Sequence, residues 1–201
     1  MSSASTTRLL VLGVVRILQP VHGYDARREL LSWRADEWAN VAPGSVYNQL
    51  KTLVADGLLQ VVATESQAGR PARTVYRVTA DGDSEFTRLL RESWWTLGSS
   101  PASILAATCF LPHLSRTELI TALEHRLALL DAARSGMQFA VDELPSPSTP
   151  GHVAEVLRLS AAHTAGEREW AERLIERLQA GHYLLRGEFE SAVELMGPEN
   201  S

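Results

Sequence analysis

Ala42-Pro43-Gly44-Ser45-Val46-Tyr47-Asn48-Gln49-Leu50-Lys51-Thr52-Leu53-Val54-Ala55-Asp56-Gly57-Leu58-Leu59, with Gly69-Arg70-Pro71 and Arg73-Thr74-Val75-Tyr76-Arg77-Val78 behind it, decides the fold. Pro43 suits the first turn of a helix, where no amide hydrogen bond is lost, and Gly57 can close that helix in the left-handed conformation. Val46, Leu50, Leu53 and Val54 recur at helical spacing on one face. Ser45, Asn48, Lys51 and Thr52 are left for the other face. Short hydroxyls, an amide and a cation suit phosphates and base edges. Valine-rich Leu59–Thr64 then predicts a short strand, Glu65–Ala72 carries turn chemistry, and Arg73–Val78 predicts the returning strand. A hairpin loop of that length projects from its strands.

Upstream, Thr7–Leu18 reads as a first helix, almost wholly apolar through Leu9, Leu10, Leu12, Val14, Val15, Ile17 and Leu18. Pro20 and Gly23 break the pattern between Gln19 and Gly23. Tyr24–Arg34 reads as a second helix anchored by Leu30, Leu31 and Trp33, and Asp36–Val41 as a connector to the third, from about Pro43 to Asp56. Three helices followed by two strands is the order of a winged helix-turn-helix. The fold class expected is mainly α with a small β-hairpin wing.

Downstream, Thr79 is a candidate N-cap for a helix carrying Phe86, Leu89, Leu90, Trp94 and Leu97. Gly98–Pro101 marks a boundary, which divides the chain into a DNA-binding domain with its linking helix (1–98) and an α-helical dimerisation domain (99–201) with room for an effector. In the latter, Ser103–Phe110 is a short apolar helix. Ser115 and Glu118 have capping-box spacing ahead of a stripe of Leu119, Leu123, Leu127 and Leu130. Three prolines and two serines make Leu144–Gly151 a loop. His152 to about Gln179 forms the last long helix, its apolar face Val153, Val156, Leu157, Trp170, Leu174 and Leu178; Tyr183–Ser201 has no assignable element. Two long amphipathic helices joined by one loop cannot cover both apolar faces, which points to a homodimer.

Bulk properties exclude several classes. The 201 residues are 45% apolar and 21% charged, with a net charge of −5, which argues against a protein that coats nucleic acid without selectivity. The charge is uneven: 11 basic and 10 acidic residues before Ser99, 8 and 14 from there on. Cys109 is the only cysteine, so no intrachain disulfide can form and a reducing, cytoplasmic setting is expected. Leu9–Leu18 is too short to span a bilayer and has no signal-peptide flanks, so no membrane partner is expected. No nucleophile elbow, phosphate loop, His-Glu-x-x-His or dinucleotide fingerprint occurs, which leaves no support for an enzyme or a cofactor. His163 and Glu167 stand one helical turn apart, but two ligands without a third make a poor metal site. Cys109, among Leu105, Ala106, Phe110 and Leu111, reads as a small buried hydrophobe. Trp94 and Trp95 point about 100° apart on their helix. One belongs to the core, and the other lines a dimer interface or an effector pocket; Trp170 reads as a dimer anchor.

His22-Gly23-Tyr24, Pro43-Gly44-Ser45-Val46-Tyr47, Leu50-Lys51-Thr52-Leu53, Gly57-Leu58-Leu59, Gly69-Arg70-Pro71, Arg73, Tyr76, Arg77 and Thr79 with Gly82, in this order and spacing, resemble the PadR family of bacterial transcription regulators. The longer acidic second half resembles the family's larger-tailed branch. The resemblance implies a winged-helix dimer that represses transcription, often relieved by a small aromatic or hydrophobic effector. Asn48 departs from it where relatives often carry proline, and Ala72 where they often carry a basic residue.

On this reading Ser45 and Tyr47 hold phosphates near the helix N-terminus, while Asn48 and Lys51, one turn deeper beside Thr52, face base edges. Tyr47 has a second reading, as a core aromatic under the wing. Tyr24 either bonds a phosphate or staples the turn. Arg70 is placed in the minor groove, Arg73 on the adjacent phosphate, and Arg77 against an acid on the sheet. Two-fold symmetry implies double-stranded DNA with a near-palindromic operator. Two rivals remain at this stage: a protein-interaction module that binds no DNA, and a small-molecule binder using the winged helix as a scaffold.

Overall fold

The computed structural model describes residues 3–39, 41–65, 73–98, 100–143 and 152–188. It comprises two compact units, Met1–Phe110 and Leu111–Ser201. The first contains α1 (Ser3–Leu18), β1 (Val21–His22), α2 (Gly23–Ser32), α3 (Ala35–Trp38), α4 (Pro43–Ala55), β2 (Leu59–Glu65), β3 (Arg73–Val78), α5 (Ala80–Trp95) and α6 (Ala102–Cys109). Helix α1 is its axis. Leu9, Leu10, Leu12 and Val15 are wholly buried, because α2, α4, α5 and α6 all pack on this one helix. Phe110 stands edge-on to both Phe86 (5.2 Å between centroids) and Trp33 (5.7 Å). The compact unit runs through Phe110, because the apolar α6 packs on α1 and α5.

The expected third helix is α4, after a single-turn α3 that the connector Asp36–Val41 partly becomes. Pro43 opens α4. Its C-terminus follows the Schellman pattern: Gly57 adopts φ +72°, Leu58 N–H donates to the Leu53 carbonyl (2.9 Å) and Gly57 N–H to that of Val54 (3.0 Å). The chain passes directly into β2. Strands β2 and β3 pair antiparallel from Leu59 opposite Val78 to Glu65 opposite Arg73, with an extra residue at Val62. This bulge explains the weak alternation of the strand, in which Val61 and Val62 are both exposed.

A third strand was not legible in the sequence. Val21 and His22, expected only to break the chain, pair with Tyr76 and Val75 on the far edge of β3, giving the order β1-β3-β2. Two residues are too few to show a period, and their partners are more than fifty positions away. The turn is secured by the Gln19 side-chain oxygen, which accepts from Val78 N–H (2.9 Å). Thr79 caps α5 as expected: its hydroxyl accepts from Gly82 N–H (3.1 Å) and donates to the Gly57 carbonyl (2.8 Å). One threonine thus ties the end of α4 to the start of α5.

The second unit is built on α7 (Arg116–Glu143) and α8 (Val153–Gln179), antiparallel because Arg126 meets Glu167 while Arg116 meets the Leu178 carbonyl at the far end. Ser115 caps α7, its hydroxyl accepting from Glu118 N–H (3.3 Å). Leu119, Leu123 and Leu130 of α7 and Ala171, Leu174 and Leu178 of α8 are buried. The apolar stripe departs from expectation in two places. Arg126 is buried where Leu127 is only half-buried, and on α8 the expected apolar residues Val153 and Val156 are exposed, with Leu159 and Phe139 exposed as well. The well-buried pairing lies toward the other end of the helix pair, so one chain leaves these side chains uncovered. Arg116 also forks onto Glu188 (2.8 Å to each oxygen) and holds Glu188 below the usual carboxylate range, which fastens the segment after α8. The expected loop Leu144–Gly151 and the tail beyond Glu188 lie outside the described residues.

Arg126 gives a stability prediction. Its guanidinium is 2% exposed and donates to Glu167 from Nε (2.6 Å). Glu167→Ala removes the carboxylate but leaves the cation buried, at an expected cost of roughly 3 kcal/mol. The joint change Arg126→Met with Glu167→Leu should cost far less. Chemical unfolding of the two variants checks this; equal losses would contradict it.

Candidate nucleic-acid interface

Helix α4 presents two polar stripes. Tyr47 and Lys51 are one turn apart on one; Ser45, Asn48 and Thr52 follow one another on the next. Asn48, Lys51 and Thr52 are exposed, and Tyr47 is 40% exposed. Ser45 and Thr52 have their hydroxyl protons committed to the helix, to the Ala42 carbonyl (2.6 Å) and the Asn48 carbonyl (3.0 Å). Either must rotate away before it can donate to a ligand.

A groove of about 770 Å³ runs between the start of α2, the Tyr47–Lys51 stripe and β3. Tyr24, Tyr47, Lys51 and Arg73 all line it, so four residues drawn from three separate motifs share one surface. The pairing of β1 with β3 brings this about, by laying His22-Gly23-Tyr24 beside the wing. Gly23 lies under the meeting point: a Cβ there would stand 3.2 Å from Leu50 and 3.4 Å from both the Tyr47 and the Tyr76 ring. Tyr47 therefore packs one ring edge inside the unit and keeps the rest of its ring open, so its two readings are compatible. Tyr24 is 59% exposed.

Ser45, Asn48 and Thr52 lie outside the groove, on the adjoining stripe. Arg70 lies outside the described residues. The tryptophans are elsewhere. Trp94 is wholly buried, which corrects its candidacy for an interface or pocket; Trp95 and, in the second unit, Trp170 are half-buried. Arg28 was passed over in the sequence, although its spacing from Tyr24 is one helical turn. It too lines the groove, with its guanidinium 6.0 Å from the Tyr24 ring centre.

Charge is distributed to match. On the α1–α5 side the arginines are neutralised: Arg8 by Asp56 and Glu85, Arg16 by Asp83, and Arg88 by Glu85 and Glu92. The Arg88 hydrogen bond holds Glu85 below its ordinary range. Lys51, Arg73 and Arg77 are exposed and meet no carboxylate among the described side chains, Arg77 included, for which a partner on the sheet was expected. Among the described side chains, the exposed cations of α4 and β3 are thus left without the carboxylate partners that neutralise Arg8, Arg16 and Arg88.

Other chemistries find no footing among the described residues. No group of three potential metal ligands occurs, and no helix is long and apolar enough to cross a membrane. Burial pushes the Cys109 thiol up, away from a reactive thiolate.

Three solved structures similar to this chain are Bacillus subtilis PadR in complex with operator DNA (22% identity, 85% of this chain and 98% of that chain, TM-score 0.38), the PadR-like transcriptional regulator BC1756 from Bacillus cereus (17%, 87% and 99%, 0.36) and Bacillus subtilis PadR in complex with p-coumaric acid (19%, 86% and 97%, 0.35). No curated protein matches. Residues 11–88, from within α1 to within α5, match the transcriptional regulator PadR-like family. That span, which holds every motif of the reading head, is similar to the transcriptional regulator PadR-like family.

Proposed function

We propose that the protein is a homodimeric transcriptional repressor of the bacterial cytoplasm. It reads a near-palindromic operator and is released by a small aromatic or hydrophobic effector. One observation supports the DNA reading above the others: where α4 and β3 meet, exposed cations stand that meet no carboxylate among the described side chains, on a winged helix that matches a regulator family. In the proposed complex α4 enters the major groove. Asn48, Lys51 and Thr52 face the bases, Ser45, Tyr47, Tyr24 and Arg73 hold the backbone, and Arg70 on the wing reaches the minor groove. The exposed Phe139, Val156 and Leu159 of the second unit support dimerisation, since a monomer gains nothing by leaving them in water. Trp95 and Trp170 are the aromatic candidates for the interface or for stacking on an effector. Ligand-driven respacing of the two reading helices then breaks simultaneous engagement of both half-sites.

Selection of bound duplexes from a random pool, followed by footprinting, tests this reading. The expected result is a symmetric footprint whose half-sites are one or two helical turns apart, about 34 Å per turn. Failure to enrich any sequence, or protection of one isolated half-site, would refute it.

A further inference from the structure

The groove contains one cation that the DNA reading does not use. Arg28 is 69% exposed, its guanidinium stands over the open face of Tyr24, and its Nη2 lies 3.1 Å from an Asp25 oxygen. Both Asp25 and Arg28 line the groove with Lys51 and Arg73. Among the described lining residues Asp25 is the one carboxylate, beside cations, hydroxyls and rings. It sits in the first turn of α2, where backbone N–H groups favour a negative charge whether or not an arginine is beside it.

We propose that Arg28 is a DNA-backbone ligand, held at rest by Asp25 and transferred to a phosphate when duplex enters the groove; this rests on the DNA-binding reading above. A guanidinium is suited to that exchange. Its planar fork takes two phosphate oxygens at once, as it takes a carboxylate, and it stays charged at every relevant pH. The Asp25 pair joins an exposed arginine to a half-buried carboxylate three residues away, so little is lost when it opens. Tyr24, which lines the same groove, supplies a flat support that restricts where the guanidinium can go. Arg28 then acts from α2 as Arg73 acts from β3, and the phosphate backbone is held from both sides of the reading helix.

A phosphate contact carries no sequence information, so its loss weakens all DNA equally. Arg28→Ala is expected to lower affinity for the selected operator and for random duplex by the same factor, about five- to tenfold at ~0.1 M salt. It should also flatten the plot of log affinity against log salt by about 0.9. Arg28→Lys should keep the slope and recover part of the affinity. Asp25→Asn should raise affinity for both duplexes. Arg88→Ala, which removes a cation outside the groove, serves as the charge control and should leave the slope unchanged. An unchanged slope in Arg28→Ala, with Lys51→Ala still weakening binding, overturns the role of Arg28 and spares the DNA reading. A slope lost equally in Arg88→Ala shows general charge, not a contact, and overturns it as well. If wild type and Lys51→Ala bind every duplex alike, the DNA reading falls and takes this inference with it.

Discussion

Replacing Lys51 and Arg73 together by alanine is expected to weaken binding to the selected operator by roughly 100-fold at about 0.1 M salt, while the unfolding midpoint stays within about 2 °C of wild type. Both side chains are exposed and neither meets a carboxylate among the described side chains, so the fold has little to lose. DNA binding has much to lose, since each cation removed from a base edge or phosphate costs about 1–3 kcal/mol. Both line one groove, so their effects should not be strictly additive. The single variants separate their roles. Arg73→Ala should weaken operator and random duplex alike and reduce the salt slope by about 0.9, as a phosphate contact requires. Lys51→Ala should weaken the operator more than random duplex, as a base contact requires. Should Lys51→Ala instead weaken both equally, Lys51 belongs with the backbone contacts, and the bases are read from the Asn48–Thr52 stripe alone. An operator affinity that survives the double change would instead put the DNA contacts away from the α4–β3 groove. Titration of labelled duplex at four salt concentrations distinguishes these outcomes.

The largest expected effect on stability comes from a residue that touches no ligand. Gly82→Ala should lower stability by about 2–4 kcal/mol, which for a unit of this size lowers the melting temperature by about 10–20 °C. Helical propensity by itself points the other way, because alanine is favoured over glycine in a helix by about 1 kcal/mol. The local geometry outweighs it. A Cβ on Gly82 would overlap the Leu58 carbonyl oxygen, the group that accepts from Thr79 N–H (3.1 Å), and would press on Val78 (3.0 Å). A backbone carbonyl cannot swing aside as a side chain can. Leu58 is also the residue that closes α4 and leads into β2, so relief of the clash shifts the reading helix against the wing. DNA affinity should therefore fall even at a temperature where Gly82→Ala is folded. Calorimetry of the variant decides the point, and a melting temperature at or above that of wild type would contradict the packing argument.

The elements that were legible in advance are those whose signal is local. Pro43 and Gly57 bracket α4, Thr79 caps α5, Ser115 caps α7, and the valine runs on either side of Glu65–Ala72 give the wing. Each depends on dihedral preference or on a bond to a residue within four positions, and the sequence displays both. The features that were not legible depend on distant partners. Strand β1 exists only because β3 offers it a free edge. Arg126 is buried only because Glu167, 41 positions away, comes to meet it. Helix α6 joins the first unit because α1 and α5 leave it a place to pack.

The candidate site divides in the same way. The sequence by itself determined the winged-helix order, the family resemblance of residues 11–88 and the polar face of α4, because helical period, capping and turn chemistry are properties of neighbouring residues. Only the tertiary structure decided that Tyr24, Tyr47, Lys51 and Arg73 share one groove, that Arg28 joins them, and that Trp94 does not leave the core. It also decided which cations are spent, by pairing Arg8, Arg16 and Arg88 with carboxylates and leaving Lys51, Arg73 and Arg77 exposed. Charge counts are fixed by composition. Where an unneutralised charge stands depends on which side chains the fold brings within a few ångströms of one another, and no local pattern records that distance.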